Sequence, residues 1–323
     1  SYMNIDNRTE ASISSEQISI NALKVIRRLT EHGYEAYLVG GGVRDLILGR
    51  TPKDFDVTTN AHPEEVHELF RNSRMIGKRF KIVHVRFGRD IIEVATFRAA
   101  RDEVDENIDI EDREQLNQTE SGMLLADNVY GAFEEDVFRR DFTINALYYD
   151  PEERKVVDFV GGEEDLKKQI IRLIGEPESR YREDPVRMLR AIRFKAMLGF
   201  RIDEASTKPM HELGYLLQDI SPSRLFEELL KLFMSGYAAK VFDDLLRYKL
   251  FGWLFPDSRR SMDNSPAEKL IRAALESTDK RIAVDLPVTP AFIYASLLWY
   301  PFIEEKKRPG LHNEIAIGAG ICG

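Results

Sequence analysis

Strand-like patterning ends near residue 175 of this 323-residue chain, and the apolar repeats beyond that point have helical spacing. This asymmetry divides the molecule before any motif is considered. Upstream, short apolar runs at 35–39, 53–59, 82–87 and 91–97 alternate with helical segments at 18–30, 43–48 and 63–70. Gly33 and Gly49 stop two of these helices and Pro63 opens the third. Residues 141–149 and 156–159 complete a mixed head. Downstream, helical repeats fall at 185–198, 204–217, 223–234 and 238–246. The expected fold class is α+β. The expected parts are a helical extension over 1–33, a mixed-sheet head over 34–175, a helical neck over 176–235 and a helical body over 236–323.

The charge is unevenly spread. The formal net charge is −9, which by itself argues against a nucleic-acid partner. Yet Arg71 to Arg89 holds seven basic residues and no acid, with Phe80 and Phe87 interleaved. Glu178 to Arg201 holds seven basic residues against three acidic. Basic segments with aromatics are the footprint of a phosphate-rich partner, although either could also be a solvated face. Ala99 to Ser121 is the reverse, nine acidic residues against two basic, and reads as a surface loop. The single cysteine, Cys322, excludes a disulfide framework and a Cys-based zinc site. With no apolar run near 18 residues and no signal-peptide core, the expectation is a cytoplasmic protein without a membrane span.

Two short motifs carry the chemistry. Asp54 and Asp56 stand in Lys-Asp-Phe-Asp-Val; on a strand, residues two apart share a face, so both carboxylates project together. Two adjoining like charges need compensation, and a divalent cation held by hard oxygens supplies it. Just upstream, Val39-Gly40-Gly41-Gly42-Val43-Arg44-Asp45 runs from strand through glycines into a helix. Gly41 and Gly42 let backbone amides approach an anion, the helix start favours negative charge, and Arg44 adds a cation. The spacing is neither that of a P-loop nor of a dinucleotide fold.

Together these motifs resemble the head of the class II nucleotidyltransferase family, the bacterial poly(A) polymerases and CCA-adding enzymes. The likeness continues in Arg139-Arg140-Asp141-Phe142-Thr143-Ile144-Asn145-Ala146, similar to the family's ribose-selecting motif, and in Glu183-Asp184-Pro185-Val186-Arg187-Met188-Leu189-Arg190-Ala191-Ile192-Arg193-Phe194, similar to its base-recognition helix. It covers about Tyr34 to Ile303. Within the family, Gly77-Lys78-Arg79-Phe80-Lys81-Ile82-Val83-His84-Val85, Gly122-Met123-Leu124-Leu125 and Trp299-Tyr300-Pro301 look like the polymerase branch.

The resemblance implies a polymerase-β-like head that adds AMP from ATP to RNA 3′ ends with release of pyrophosphate. Asp54 and Asp56 would hold two Mg²⁺ ions about 3.5–4 Å apart. Glu93 is a candidate third carboxylate; otherwise it is an ordinary edge acid. Asp141 would contact the ribose or support the catalytic pair, Arg140 the triphosphate, and Asn145 lies in the same motif. Glu183, Arg187 and Arg190 share a helix face and, with Asp184, would read the incoming base. Asp184 also suits a helix cap, and Arg193 suits either phosphate or an ion pair. The family's greater length implies a body that is incomplete at its C-terminal side. Two alternatives stand beside this reading: a CCA-adding tRNA nucleotidyltransferase, and an RNA-binding protein with an inactive head. Partners are RNA 3′ ends and a nucleoside triphosphate; oligomeric state is not encoded legibly.

Overall fold

A computed structural model describes residues 8–78, 80–98, 131–263 and 265–307. The acidic stretch 99–121, the segment Gly122–Leu125 and the C-terminal residues 308–323 lie outside them, as does Arg79. The chain divides into two compact units, Ser1–Glu176 and Pro177–Gly323.

The first unit is built on an eight-stranded mixed sheet. Its strands are β1 (Arg8–Glu10), β2 (Ala36–Val39), β3 (Asp56–Thr59), β4 (Ser73–Ile76), β5 (Ile82–Phe87), β6 (Asp90–Thr96), β7 (Leu147–Asp150) and β8 (Lys155–Asp158). Their spatial order is β1-β8-β7-β2-β3-β6-β5-β4. The β3–β6 pair is parallel and the remaining neighbours are antiparallel. All four residues of β2 are buried, as expected for a central strand covered on both faces.

Helix α1 (Ile20–Glu31) buries Ala22, Val25, Ile26 and Leu29, three or four residues apart and hence on one stripe. The Ser19 hydroxyl caps its start by accepting from the Ala22 amide at 3.3 Å. With α3 (Pro63–Leu69) it covers one sheet face, where Val57, Val83, Val85, Ile92 and Val94 are almost fully buried. Residues 8–33 therefore belong to the head, through α1 on the sheet and β1 paired to β8, and do not form a separate extension. The opposite face carries Tyr37, Val39, Phe97, Tyr148 and Val157 in one cluster with Val137 of α4 (Phe133–Phe138).

Two departures from the sequence expectation have clear causes. The strand expected over 53–59 starts only at Asp56. Its partner β2 ends at Val39, where Gly40 turns the chain with φ of 79°, so β2 offers residues 53–55 nothing to pair with. The following helix, α2 (Gly41–Ile47), begins within the glycines rather than at Val43. Strands β1 and β4, with α4, had no periodic signal: they are too short for one, and β4 alternates exposed and half-buried residues at the sheet edge.

A short helix, α5 (Gly162–Lys168), closes the head. The second unit runs through α6 (Pro177–Glu183), α7 (Val186–Leu198), α8 (Glu204–Leu213), α9 (Pro222–Phe233), α10 (Ala238–Arg247), α11 (Phe251–Leu254), α12 (Pro256–Ser261), α13 (Ala267–Ala283) and α14 (Pro290–Lys306). Gly199, with φ of 70°, caps α7 in the left-handed conformation. No helix among the described residues is long and apolar enough to cross a membrane.

One glycine couples fold to site. A Cβ at Gly162, the first residue of α5, would overlap the Thr143 carbonyl oxygen and touch Leu147. Thr143 lies between Asp141 and Asn145, so Gly162→Ala displaces that turn. The expected cost is roughly 1–3 kcal/mol of overpacking, read as a lower urea midpoint with an unchanged slope.

Candidate active site

Strand register, rather than nearness in sequence, assembles the centre of the head. Along one row across the sheet, Arg74 pairs with His84, His84 with Glu93, Glu93 with Asp56, Asp56 with Val39, and Val39 with Tyr148. Paired residues share a face, so two acids and two bases from four strands line up on the face that carries Tyr148. His84 Nε2 lies 3.5 Å from Glu93 Oε2. Sequence reasoning had Glu93 but not His84 or Arg74, which sat unassigned in the basic stretch 71–89. Their strand pairing was the available signal.

Asp54 is not on the strand. It precedes β3 in an exposed loop, so the same-face argument that paired it with Asp56 does not apply; loop packing brings it near. The reason is Gly42. A Cβ there would stand 3.1 Å from the Asp54 carbonyl oxygen, so the first turn of α2 presses directly on the 52–54 loop. The electrostatics record the result. Asp56 is accessible at its tip yet surrounded by enough protein to be poorly hydrated. Burial, then the Glu93 and Asp54 charges, push its carboxyl up to about 6, against a smaller opposing pull from Arg140.

Arg44 and Asn145 are joined. The Arg44 guanidinium is buried, donating to Asn145 Oδ1 at 2.7 Å and to Asp45 Oδ1 at 3.0 Å. It thus ties α2 to the 143–145 turn, with Gly41 beside its guanidinium. Arg140 sits over a network that sequence reasoning missed. Asp136, fully buried, accepts from the Tyr148 hydroxyl at 2.6 Å, from Arg140 at 3.0 Å, from Arg139 at 3.0 Å and from the Arg98 amide at 3.0 Å. Burial alone would raise its carboxyl; Arg140, Arg139 and the two hydrogen bonds outweigh that and hold it at about 2. Asp141 follows, half-buried, its backbone carbonyl accepting from the Ile174 amide at 2.9 Å. The turn is pinned by Thr143, whose hydroxyl donates to Asp165 at 2.6 Å.

The second unit holds the remaining candidates. Asp184 and Pro185 break α6 from α7, and Asp184 Oδ1 accepts from the Val186 amide at 3.3 Å, as a cap would. The same carboxylate takes a two-pronged contact from Arg224, at 2.9 and 2.6 Å. Arg187 is buried, only 1% exposed, and donates to the Arg180 carbonyl at 2.8 Å and to Glu183 at 3.2 Å. Arg180 donates to the same Glu183 oxygen at 3.0 Å. Glu183 is exposed, while Arg190 and Arg193 are half-buried, Arg193 lying over the Phe194 ring. So the structure brings Glu183, Asp184 and Arg187 together and adds Arg180 and Arg224, which the spacing argument overlooked because one pairs through a carbonyl and the other lies 40 residues away.

Among the described residues no three His, Cys, Asp or Glu side chains are close enough to hold a metal unaided. The fit to a divalent cation is nonetheless good. Asp54, Asp56 and Glu93 would supply hard oxygens, and the raised Asp56 carboxyl marks negative charge that Arg140 offsets only in part. One or two carboxylates completed by substrate phosphates is the usual magnesium arrangement.

A mixed sheet carrying these carboxylates beside a glycine turn has the nucleotidyltransferase fold, and solved structures agree. A crystal structure of the Bacillus stearothermophilus CCA-adding enzyme in complex with CTP superposes with a TM-score of 0.61, at 27% identity, over 88% of this chain and 82% of that one. Family models for the "Poly A polymerase head domain" and the "Probable RNA and SrmB-binding site of polymerase A" match residues 36–172 and 199–262. Poly(A) polymerase I of Salmonella typhi is 52% identical over 98% of this chain and 67% of its own length. The CCA-adding enzyme of Lactobacillus helveticus is 39% identical over 72% of this chain and 54% of its own. The chain belongs to the bacterial poly(A) polymerase family. It spans 64% of the length of the Escherichia coli poly(A) polymerase I that it matches.

The Asp136 network yields a stability prediction. Asp136→Asn removes a buried charge that faces two arginines, at an expected cost of about 3–5 kcal/mol. Because the folded carboxyl is depressed, its contribution is complete above the ordinary aspartate pKa of about 3.9 and is lost as pH falls from there towards 2. Urea titrations at pH 7 and pH 3 should therefore show a large parent-to-variant gap at the first and a smaller one at the second.

Proposed function

We propose that this chain carries the catalytic head and neck of a template-independent polynucleotide adenylyltransferase. The 3′-hydroxyl of an RNA attacks the α-phosphorus of ATP, and the bond to the β,γ-pyrophosphate breaks. The observation that carries the proposal is the Asp54, Asp56 and Glu93 cluster, which raises the Asp56 carboxyl to about 6 beside the glycine turn. Two Mg²⁺ ions bound there would neutralise these carboxylates, polarise the phosphate and favour the ionised hydroxyl. The chain's own residues do the rest. Arg140, aimed by Asp136 and Tyr148, offers its charge towards the triphosphate. Arg44 and Asn145 hold α2 and the 143–145 turn in fixed relation, and Asp141 in that turn serves the ribose.

Base choice belongs to the neck. Asp184 is held by Arg224, and Glu183 by Arg180 and Arg187, so both acceptors are immobilised at the helix break. Fixed acceptors favour a base with an exocyclic amino donor, adenine or cytosine, over one that presents a carbonyl there. The higher identity to poly(A) polymerases, over more of the chain, supports adenylate addition over CCA addition.

Primer extension with each nucleoside triphosphate alone tests the proposal. The expected result is ATP-dependent tails on a generic RNA with little CTP incorporation; addition that halts after C-C-A on a tRNA lacking those residues favours the CCA-adding reading. Asp56→Asn should lower Mg²⁺-dependent extension by more than about 100-fold, beyond what outer-shell changes produce, while thermal unfolding stays cooperative. Extension near the parental rate would move the metal site elsewhere.

Arg187→Ala releases one of the two arginines that fix Glu183; it should cut the kcat/KM preference for ATP over the other three nucleotides by up to roughly 5- to 150-fold, the 1–3 kcal/mol of the one base contact that Glu183 would lose. An equal loss for all four nucleotides would take base reading away from this helix face.

A further inference from the structure

The basic stretch 71–89 does not all face the carboxylates. Along β4 and β5, Arg74, His84 and Arg86 alternate onto the catalytic face; Phe87, one residue on, points to the face covered by α1 and α3. There it meets a cavity of about 420 Å³ lined by Lys24, Arg28, Leu69, Phe70, Arg71, Asn72 and Phe87. No carboxylate lines it. Lys24, Arg28 and Arg71 have no ion-pair partner among the described residues. The lining is also rigid. Arg28 Nε donates to the Leu69 carbonyl at 2.7 Å, and Asn72 and Arg86 exchange two backbone-directed hydrogen bonds, at 2.5 and 2.8 Å. The buried Phe70 and the half-buried Phe87 add aromatic surface.

Three uncompensated cations beside aromatic rings, in a hollow of nucleotide size, suit a phosphate and its attached base. Position decides which phosphate. Strand β4 is the terminal strand of the sheet. Arg74 on β4 and Arg86 on β5 lie on the catalytic face, Arg71 stands two residues before β4, and Arg28 and Lys24 lie on α1 behind. Basic residues therefore continue from the catalytic face around the sheet edge to the opposite face. A compact anion would occupy one end of such a track; an extended polyanion would occupy its length.

We propose that the Lys24–Arg28–Arg71 hollow is a second RNA-binding site, which holds the strand several nucleotides upstream of its 3′ end on the face opposite Asp56. The proposal rests on the RNA-extending reading above. A site of this kind engages only RNA long enough to reach around β4, so it raises affinity for long strands and leaves short primers unaffected.

The test uses the full chain and two variants, Lys24→Glu/Arg71→Glu and the milder Lys24→Gln/Arg71→Gln; both leave the Arg28–Leu69 contact in place. Fluorescence anisotropy without nucleotide measures binding of end-labelled oligoadenylates of 6 and 30 nucleotides across a salt series. The charge reversal should weaken the 30-mer roughly tenfold and reduce its log–log salt slope by roughly 1 to 2. The neutral variant should show a smaller loss of the same kind, and 6-mer binding should not change. Unchanged 30-mer affinity and slope in both variants overturns the proposal. So does an equal loss for both lengths, which would mean a diffuse field effect, and so does competition by inorganic phosphate at millimolar level that removes the difference between lengths, which would mean a small-anion site. Because no nucleotide is added, a chain that binds as expected but extends no primer fails the adenylyltransferase reading alone.

Discussion

Carboxylates that repel one another must be brought close and kept there, and the head is arranged around that constraint. Asp56 and Glu93 sit opposite each other on the parallel pair β3 and β6, and Asp54 is pressed in from the adjoining loop by Gly42. Parallel neighbours cannot be joined by a tight turn, so the chain between them makes α3, β4 and β5 before returning. That excursion brings His84 and Arg74 into the acidic row and gives the sheet its basic edge. On the other side of Asp56, Tyr148 and Asp136 set the position of Arg140, the cation that partly offsets the cluster. The unfavourable carboxylate cluster and the favourable Asp136 network thus oppose each other across two strands.

Much of this was legible in the residues themselves. The helical stripe of α1, the glycine turn, the runs that became β5 and β6, and the change to helix near residue 175 all follow from periodicity and punctuation. The motifs around Asp56, Asp141 and Arg187 stood out by their chemistry. What stayed hidden depends on pairing across the chain. The four-residue spacing of Asp136 and Arg140 was a local signal for their pair; the convergence of Tyr148 and Arg98 on the same carboxylate was not, because it exists only after folding. The start of β3 was set too early for a similar reason: the residues from Lys53 on have suitable patterning, but β2 ends at Val39 and offers them no partner. Arg187 looked like an exposed reader by helical spacing, while its burial depends on the α6 carbonyl it donates to.

In the second unit the same economy recurs at smaller scale. One break, at Asp184 and Pro185, leaves α6 carbonyls and α7 amides without helical partners. Asp184 caps the Val186 amide, and Arg187 adds a second donor to the Arg180 carbonyl, which already accepts from the Asp184 amide; each side chain also holds a further charged residue, Arg224 and Glu183 respectively. Capping and ligand reading are therefore not competing explanations for these residues. A carboxylate already fixed by a helix end and an arginine loses little freedom on meeting a base.

The spacing of strand partners also sets when the site can exist during synthesis. The carboxylates come from residues 54 to 93, but β2 gains its second neighbour only through Leu38 with Tyr149, 111 positions later in the chain. A nascent chain that has emerged as far as Thr96 holds every candidate metal ligand and lacks Asp136, Arg140, Asn145 and β7. Contacts across such separations form late because loop closure must be met first. Until β7 docks, β2 is an edge strand with open hydrogen-bonding groups on one side. The interval between ribosomal emergence of residues 96 and 149 is accordingly the period in which β2 is most exposed to wrong pairing.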